Sequence, residues 1–181
     1  MTRWVALLRG VNVGGNKGVP MSELKAVASS LGLGDPRTLL QSGNLVFSAE
    51  GPKAAELERL LEASIAEKIG VKTEVCVRGA RTWARLVEAN PFPEAAKADP
   101  AHLLLTAFKT PPSADAPEAL AAAFRGPEQV RVAEGHAYIV FPEGVGRSKL
   151  TPALLGKHLG QGTARNWNTV LKLQDMLAEA S

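Results

Sequence analysis

Short apolar runs and turn signals follow one another along the first half of this chain in an order that few folds satisfy. Residues 3–9 are mostly apolar on both alternating faces, the pattern of a buried strand. A helix is expected over about 20–31, where Leu24, Val27, Ala28 and Leu31 fall at helical spacing between Pro20 and Gly32. Thr38–Gln41 and Asn44–Ser48 read as strands, with Ser42-Gly43 between them suited to a tight hairpin turn. Pro52 opens a longer helix with Leu57, Leu60, Leu61, Ile65 and Ile69 on one face, and Thr73–Arg78 is a further strand. Strand, helix, hairpin, helix, strand is the order of a ferredoxin-like unit, in which helices cover one face of a four-stranded antiparallel sheet.

The second half repeats the opening of that order. Strands are expected at His102–Lys109, Gln129–Ala133 and His136–Phe141, with an Ala-rich helix over 115–125 that turns Leu120 and Phe124 inward. Thr151-Pro152 caps a short helix to about Leu159, and Asn166–Ala178 is a terminal helix. A helix over about 80–89, with Trp83, Leu86 and Val87 apolar, ends at Asn90-Pro91. The Pro/Ala-rich stretch 91–100 reads as a linker. The expected fold class is therefore α+β: two tandem ferredoxin-like (βαββαβ-type) subdomains with antiparallel sheets, plus C-terminal helices. The expected division is 1–90 for the subdomain with the Gly-rich loop, 91–100 for the linker, and 101–181 for the second subdomain. The halves read as degenerate copies.

Composition narrows the function. With 181 residues, 45% of them hydrophobic and 22% charged, the chain suits a globular fold with a real core. The single cysteine, Cys76, excludes an internal disulfide and reads as a small core hydrophobe. His102, His136 and His158 are scattered, so no metal set is expected. The apolar run at the start is short and closed by Arg9, which fits neither a signal peptide nor a membrane span, and a cytoplasmic location is expected. The net charge of +3 is too small for a strong nucleic-acid binder. Its distribution is uneven: residues 1–19 hold Arg3, Arg9 and Lys17 with no acid, and residues 142–174 hold Arg147, Lys149, Lys157, Arg165 and Lys172 against Glu143 alone.

Those two segments carry the unusual motifs. In the expected topology, the loop after the first strand and the tip of the following hairpin lie at the same end of the sheet. The loop Arg9-Gly10-Val11-Asn12-Val13-Gly14-Gly15-Asn16-Lys17-Gly18-Val19-Pro20 should thus converge with Gln41-Ser42-Gly43-Asn44. Glycines let backbone N–H groups approach a ligand, and the loop feeds a helix N-terminus, which favours an anion. It is neither a Walker loop nor a Gly-x-Gly-x-x-Gly fingerprint. Turn chemistry accounts for Ser42, Gly43 and Asn44 but not for Gln41. In the second segment, Ser148, Lys149, Arg165, Asn166 and Asn168 bring positive charge beside hydrogen-bonding groups. Asn166 doubles as a helix cap and Trp167 as a core residue, while Arg165 just before a helix start opposes the helix dipole unless an anion sits there.

Three stretches together resemble a bacterial family, domain of unknown function 1697. They are Ala6–Gly15 with Val19-Pro20-Met21, Gln41–Phe47, and Arg165–Leu173. Asn90-Pro91-Phe92 and Ser148-Lys149 also look like family positions. The resemblance implies an α+β fold of two tandem ferredoxin-like subdomains and carries over no catalytic residues.

The residues favour a binding module for a phosphorylated small molecule or nucleotide. Its candidate ligand-binding residues are Arg9, Asn12, Gly14, Gly15, Lys17, Gln41, Ser42, Asn44, Ser148, Lys149, Arg165, Asn166 and Asn168. Nucleic acid ranks lower, because no strand carries an RNP-like aromatic motif. An enzyme using Lys17, Ser148 or Lys149 at the same surface, and a structural or oligomeric module without ligand, remain as alternatives. No cofactor is indicated by any motif.

Overall fold

The computed structural model describes residues 1–15 and 18–179. By contacts the chain divides into two compact units: Met1–Ala84 together with the chain's end from Lys172, and Arg85–Leu171. Each is a four-stranded antiparallel sheet with helices packed on it.

In the first unit, β1 (Thr2–Leu8), α1 (Met21–Ser30), β2 (Gly34–Leu39), β3 (Asn44–Ala49), α2 (Ala54–Lys68) and β4 (Val75–Gly79) follow the order read from the sequence. The sheet runs β2-β3-β1-β4. Alternation sends Ala6 and Leu8 of β1, Leu45 and Phe47 of β3, and Val75 and Val77 of β4 to one face. There they form a core with Leu24, Val27 and Ala28 of α1 and Leu57, Leu61 and Ile65 of α2. Leu60, expected on that apolar face, is 48% exposed. The stripe at Leu57, Leu61 and Ile65 already fills the contact, and Leu60 lies about a quarter turn away from it.

The edge strand β4 is served by α2. Glu62 Oε1 accepts from Val75 N and Glu58 Oε1 from Val77 N, each at 2.9 Å. These are donors on the side of β4 that faces away from β1, which would otherwise invite another strand. Arg78 donates to Val77 O and pairs with Glu58 at 3.6 Å.

In the second unit, β5 (Leu103–Phe108), α5 (Ala116–Ala123), β6 (Gln129–Ala133), β7 (His136–Val140), α6 (Pro152–Leu159) and β8 (Gly162–Asn166) give a sheet of order β6-β7-β5-β8. The two orders are the same, so the duplicated architecture is present in full. β8 completes it and was not expected from the sequence. Gly162-Thr163-Ala164-Arg165-Asn166 is short and has only small or polar residues, with no apolar alternation to mark a strand. Its backbone is ordered by pairing with β5, from Leu104↔Asn166 to Phe108↔Gly162.

The segment 91–100 holds a helix, α4 (Pro93–Ala98), and a 3-10 turn at Pro100–His102. α3 (Ala80–Glu88) follows β4 directly, and α7 (Trp167–Ala178) follows β8 directly. Asn166 caps α7 by accepting from Thr169 N at 3.0 Å, and Thr151 caps α6 by accepting from Leu154 N. Trp167 is buried with its ring 6.3 Å from that of Tyr138, whose hydroxyl donates to Leu86 O. Cys76 is buried. No helix among the described residues is long and apolar enough to cross a membrane.

Register aligns the two sheets residue by residue. Val5 lies opposite Arg78 as Leu105 lies opposite Arg165, and Arg37 lies opposite Val46 as Arg131 lies opposite Tyr138. Arg78, Arg131 and Arg165, all on edge strands, each donate to the carbonyl of the preceding residue.

Candidate functional site: the loop cluster of the first sheet

The end of β1 is where the first unit collects its unusual residues. β1 and β2 run the same way, so the β2–β3 tip meets the loop that leaves β1. Leu8 N donates to Gly43 O at 2.9 Å. Gly43 has φ +86° and approaches so closely that a Cβ there would sit 2.7 Å from Val11 Cγ2 and 2.8 Å from Leu8 Cβ. Only a glycine fits that approach.

Val11 and Val19 are both wholly buried in the core, so the loop is anchored at its two ends. Asn12 closes it. Its Oδ1 accepts from Val19 N at 2.8 Å, and its Nδ2 donates to Val19 O at 2.8 Å and to Gln41 O at 2.7 Å. The carboxamide thus spends both donors and its acceptor on loop and hairpin backbone. What remains outside the clasp is exposed: Val13, Gly14, Gly15 and Gly18. Gly14 and Gly15 have φ of +59° and +77°, the left-handed region that glycine adopts without strain, and nothing lies within 4 Å of where a Cβ would stand on either. Lys17 lies outside the described residues.

β4 begins at the same end, because it runs antiparallel to β1. Arg9 N donates to Glu74 O at 3.0 Å, and Thr73 Oγ1 donates to Arg9 O at 2.8 Å. The Arg9 guanidinium meets Glu74 Oε2 at 3.1 Å. Arg9, Lys72, Thr73 and Glu74 line a depression of about 260 Å³. The N-terminal segment has no acid in sequence before residue 23, yet Glu74 sits against its arginine. Lys72, Thr73 and Glu74 were missed as site residues. The topological argument that brought the hairpin tip to this end applies equally to the start of β4.

Gln41 is exposed at the tip and Ser42 is partly buried. Asn44, expected to offer a polar group there, is fully buried, with Nδ2 donating to Leu39 O at 2.8 Å and to Ser42 Oγ at 3.0 Å. It locks the turn from inside, because register places it between Leu7 and Leu39.

The second group of expected residues lies in the other unit and is built differently. Ser148 Oγ donates to Glu128 Oε1 at 2.6 Å and accepts from Leu150 N at 3.0 Å, which fixes the turn after Val145–Arg147. Arg147, Lys149 and Asn168 are exposed. Arg165 is only 8% exposed and lies in β8, immediately before the Asn166 cap of α7, so it does precede a helix start as expected. Its Nη1 donates to Ala164 O at 2.8 Å. His102, read as isolated, has Asp99 Oδ2 at 2.8 Å from Nδ1. Among the described residues no group of three or more His, Cys, Asp or Glu side chains could hold a metal ion.

Fold and loops together define a duplicated ferredoxin-like α+β protein whose Arg and Lys side chains make ion pairs and hydrogen bonds at its surfaces, with a glycine-rich loop clasped over one sheet end. The chain belongs to the family described as protein of unknown function (DUF1697), whose model matches residues 1–138. The match takes in the loop cluster and ends before Ser148, Lys149 and Arg165. Among solved structures, the chain is similar to the conserved bacterial protein SP0830 from Streptococcus pneumoniae, at 24% identity and a TM-score of 0.75 over 97% of this chain and 98% of that one. That likeness speaks to the fold. No curated protein matches the chain significantly.

Proposed function

We propose that the end of the first sheet where β1, the β2–β3 tip and the start of β4 converge binds an anionic small molecule, phosphorylated or nucleotide-like. Arg9 and Lys72 supply positive charge, and Gly14 and Gly15 supply backbone N–H groups. Gln41 supplies polar selection, and Lys17 adds charge from the same loop.

The observation that carries this reading is an internal control within the chain. The connection from first strand to first helix takes residues 9–20, twelve in all, in the first unit, and residues 109–115, only seven, in the second. The same topology therefore closes without the longer loop. The shorter connection contains no glycine, whereas the longer one contains Gly10, Gly14, Gly15 and Gly18. An exposed loop longer than its topology needs, and held by a dedicated clasp, is a feature of function rather than of folding. The ion pair between Arg9 and Glu74 makes Glu74 a competitor for the incoming anion.

Titration calorimetry with a panel of nucleotides and sugar phosphates tests this. Binding should weaken at least tenfold in Arg9→Ala and Lys72→Ala. In Glu74→Gln it should strengthen by up to about fivefold, since a half-exposed ion pair is worth about 0–1 kcal/mol. No binding by any member of the panel, or weaker binding in Glu74→Gln, would refute the assignment. Short RNA belongs in the same panel, where a steep loss of affinity with salt marks nucleic acid instead.

A further inference from the structure

At the other end of β1, six residues and so roughly 20 Å from Arg9, lies a polar cluster that the loop site does not use. Arg3 is 8% exposed, and its Nε, Nη1 and Nη2 have no hydrogen-bond partner among the described residues. Register sets Ser48 directly opposite Arg3 across the β1–β3 pair. Ser48 is 2% exposed, and its Oγ is likewise unpartnered. Arg37 of β2 adds a buried Nε in the same condition.

One carboxylate oxygen stands between the two arginines. Asp35 Oδ2 is 3.5 Å from Arg3 Nη1 and 3.5 Å from Arg37 Nε, too long for a hydrogen bond to either. Arg37 has a second acid, since its Nη1 hydrogen-bonds Glu179 Oε2, and that bond holds its pKa above the usual value. Among the described residues Arg3 has Asp35 alone. A buried guanidinium whose donors lack acceptors is among the costlier things a fold can retain.

The second sheet shows that the fold does not ask for it. By register the counterparts of Arg3 and Ser48 are Leu103 and Val140, which face each other across β5–β7 in the same place. An apolar pair builds that position well, and Leu103 is wholly buried. The first sheet puts a cation and a hydroxyl there instead.

We propose that Arg3, Ser48 and Arg37 form a second anion site, distinct from the loop cluster, that takes a small oxyanion. A guanidinium presents parallel N–H donors matched to two oxygens of a carboxylate, phosphate or sulfate, and the Ser48 hydroxyl supplies a further donor. Asp35 and Arg37, 46% and 33% exposed, form its solvent side. β2 is irregular there, with a register shift between Gly34 and Arg37, as strands often are beside sites.

Thermal melting in inorganic phosphate and in acetate, against chloride at matched ionic strength, tests the proposal. Phosphate or acetate should raise the melting temperature of the wild type. Arg3→Met should lose that rise and, in chloride, melt at or above the wild type. Ser48→Ala should weaken the anion several-fold, while Arg9→Ala and Lys72→Ala keep the rise, which separates this site from the loop cluster. The proposal is overturned if neither anion shifts the wild type, if Arg3→Met keeps the full shift, or if Arg9→Ala abolishes it. Should Arg3→Met not fold, labelled-phosphate binding to Ser48→Ala decides, with wild-type affinity counting against the site.

Discussion

Replacing Gly43 with alanine places a new Cβ 2.8 Å from Leu8 Cβ and 2.7 Å from Val11 Cγ2, on a backbone with φ +86°. Two costs follow. Holding an L-residue in the left-handed region costs roughly 1–2 kcal/mol. Crowding a packed site with one extra carbon costs roughly 1–3 kcal/mol, and Leu8 cannot yield easily because its Cβ is fixed to a strand whose N–H bonds Gly43 O. Gly43→Ala should therefore lose about 2–5 kcal/mol. Gly14→Ala provides the comparison: its φ is +59°, but nothing lies within 4 Å of the added carbon, so only the backbone cost of about 1–2 kcal/mol applies. Urea unfolding followed by circular dichroism reads both, and thermal melting should show about 2–4 °C per kcal/mol for a chain of this size. Equal losses in the two variants would mean that the hairpin tip does not press on the loop, and the convergence on which the proposed site rests would be refuted.

Two further outcomes are expected. Asn12→Ala removes three hydrogen bonds of 2.7–2.8 Å at a partly exposed position and should cost about 1–2 kcal/mol; faster hydrogen exchange at the Val19 N–H checks it, and unchanged exchange would show that the clasp does not hold the loop. Tyr138, the only tyrosine, has its pKa pushed up to about 12, first by burial and then by the charge of Glu134. The stability this represents is present below pH 10, where the unfolded chain titrates, and is lost as pH rises from 10 toward 12, about 2–3 kcal/mol in all. Tyrosinate absorbance should accompany alkaline unfolding, Tyr138→Phe should flatten that decline, and absorbance already rising at pH 10 in folded protein would contradict the burial.

Where apolar alternation was strong, the sequence was enough. β5, β6, β7 and the Glu134-Gly135 turn fall within a residue or two of expectation, because both the strand pattern and the turn chemistry point one way. β8 was invisible because Thr163 is the one strand-favouring residue in Gly162–Asn166 and no apolar alternation surrounds it, so pairing with β5 imposes the conformation. β2 starts at Gly34 rather than Thr38 for a similar reason, since Asp35 and Pro36 look like turn residues and a register shift accommodates them. In the site, the convergence of loop and tip was legible from topology alone. The roles of Asn12 and Asn44 were not, because an asparagine that clasps backbone and one that greets a ligand are the same letter in the same glycine-rich setting. The pairing of Arg9 with Glu74 joins residues 65 positions apart, a distance at which local charge arithmetic has nothing to say.

The two glutamates of α2 that cap β4 have a consequence beyond protecting an edge. Four residues of helix rise about 6.0 Å, and two residues of strand rise about 6.7 Å. Glu58 and Glu62, four apart, therefore match Val77 and Val75, two apart, almost step for step. The match works at one alignment of helix against strand and fails at the next, so the carboxylates act as a ratchet pawl that sets the longitudinal position of α2. Apolar packing between helix and sheet is tolerant of sliding. In this unit a pair of acids removes that freedom and so fixes where β4 must begin, beside Arg9.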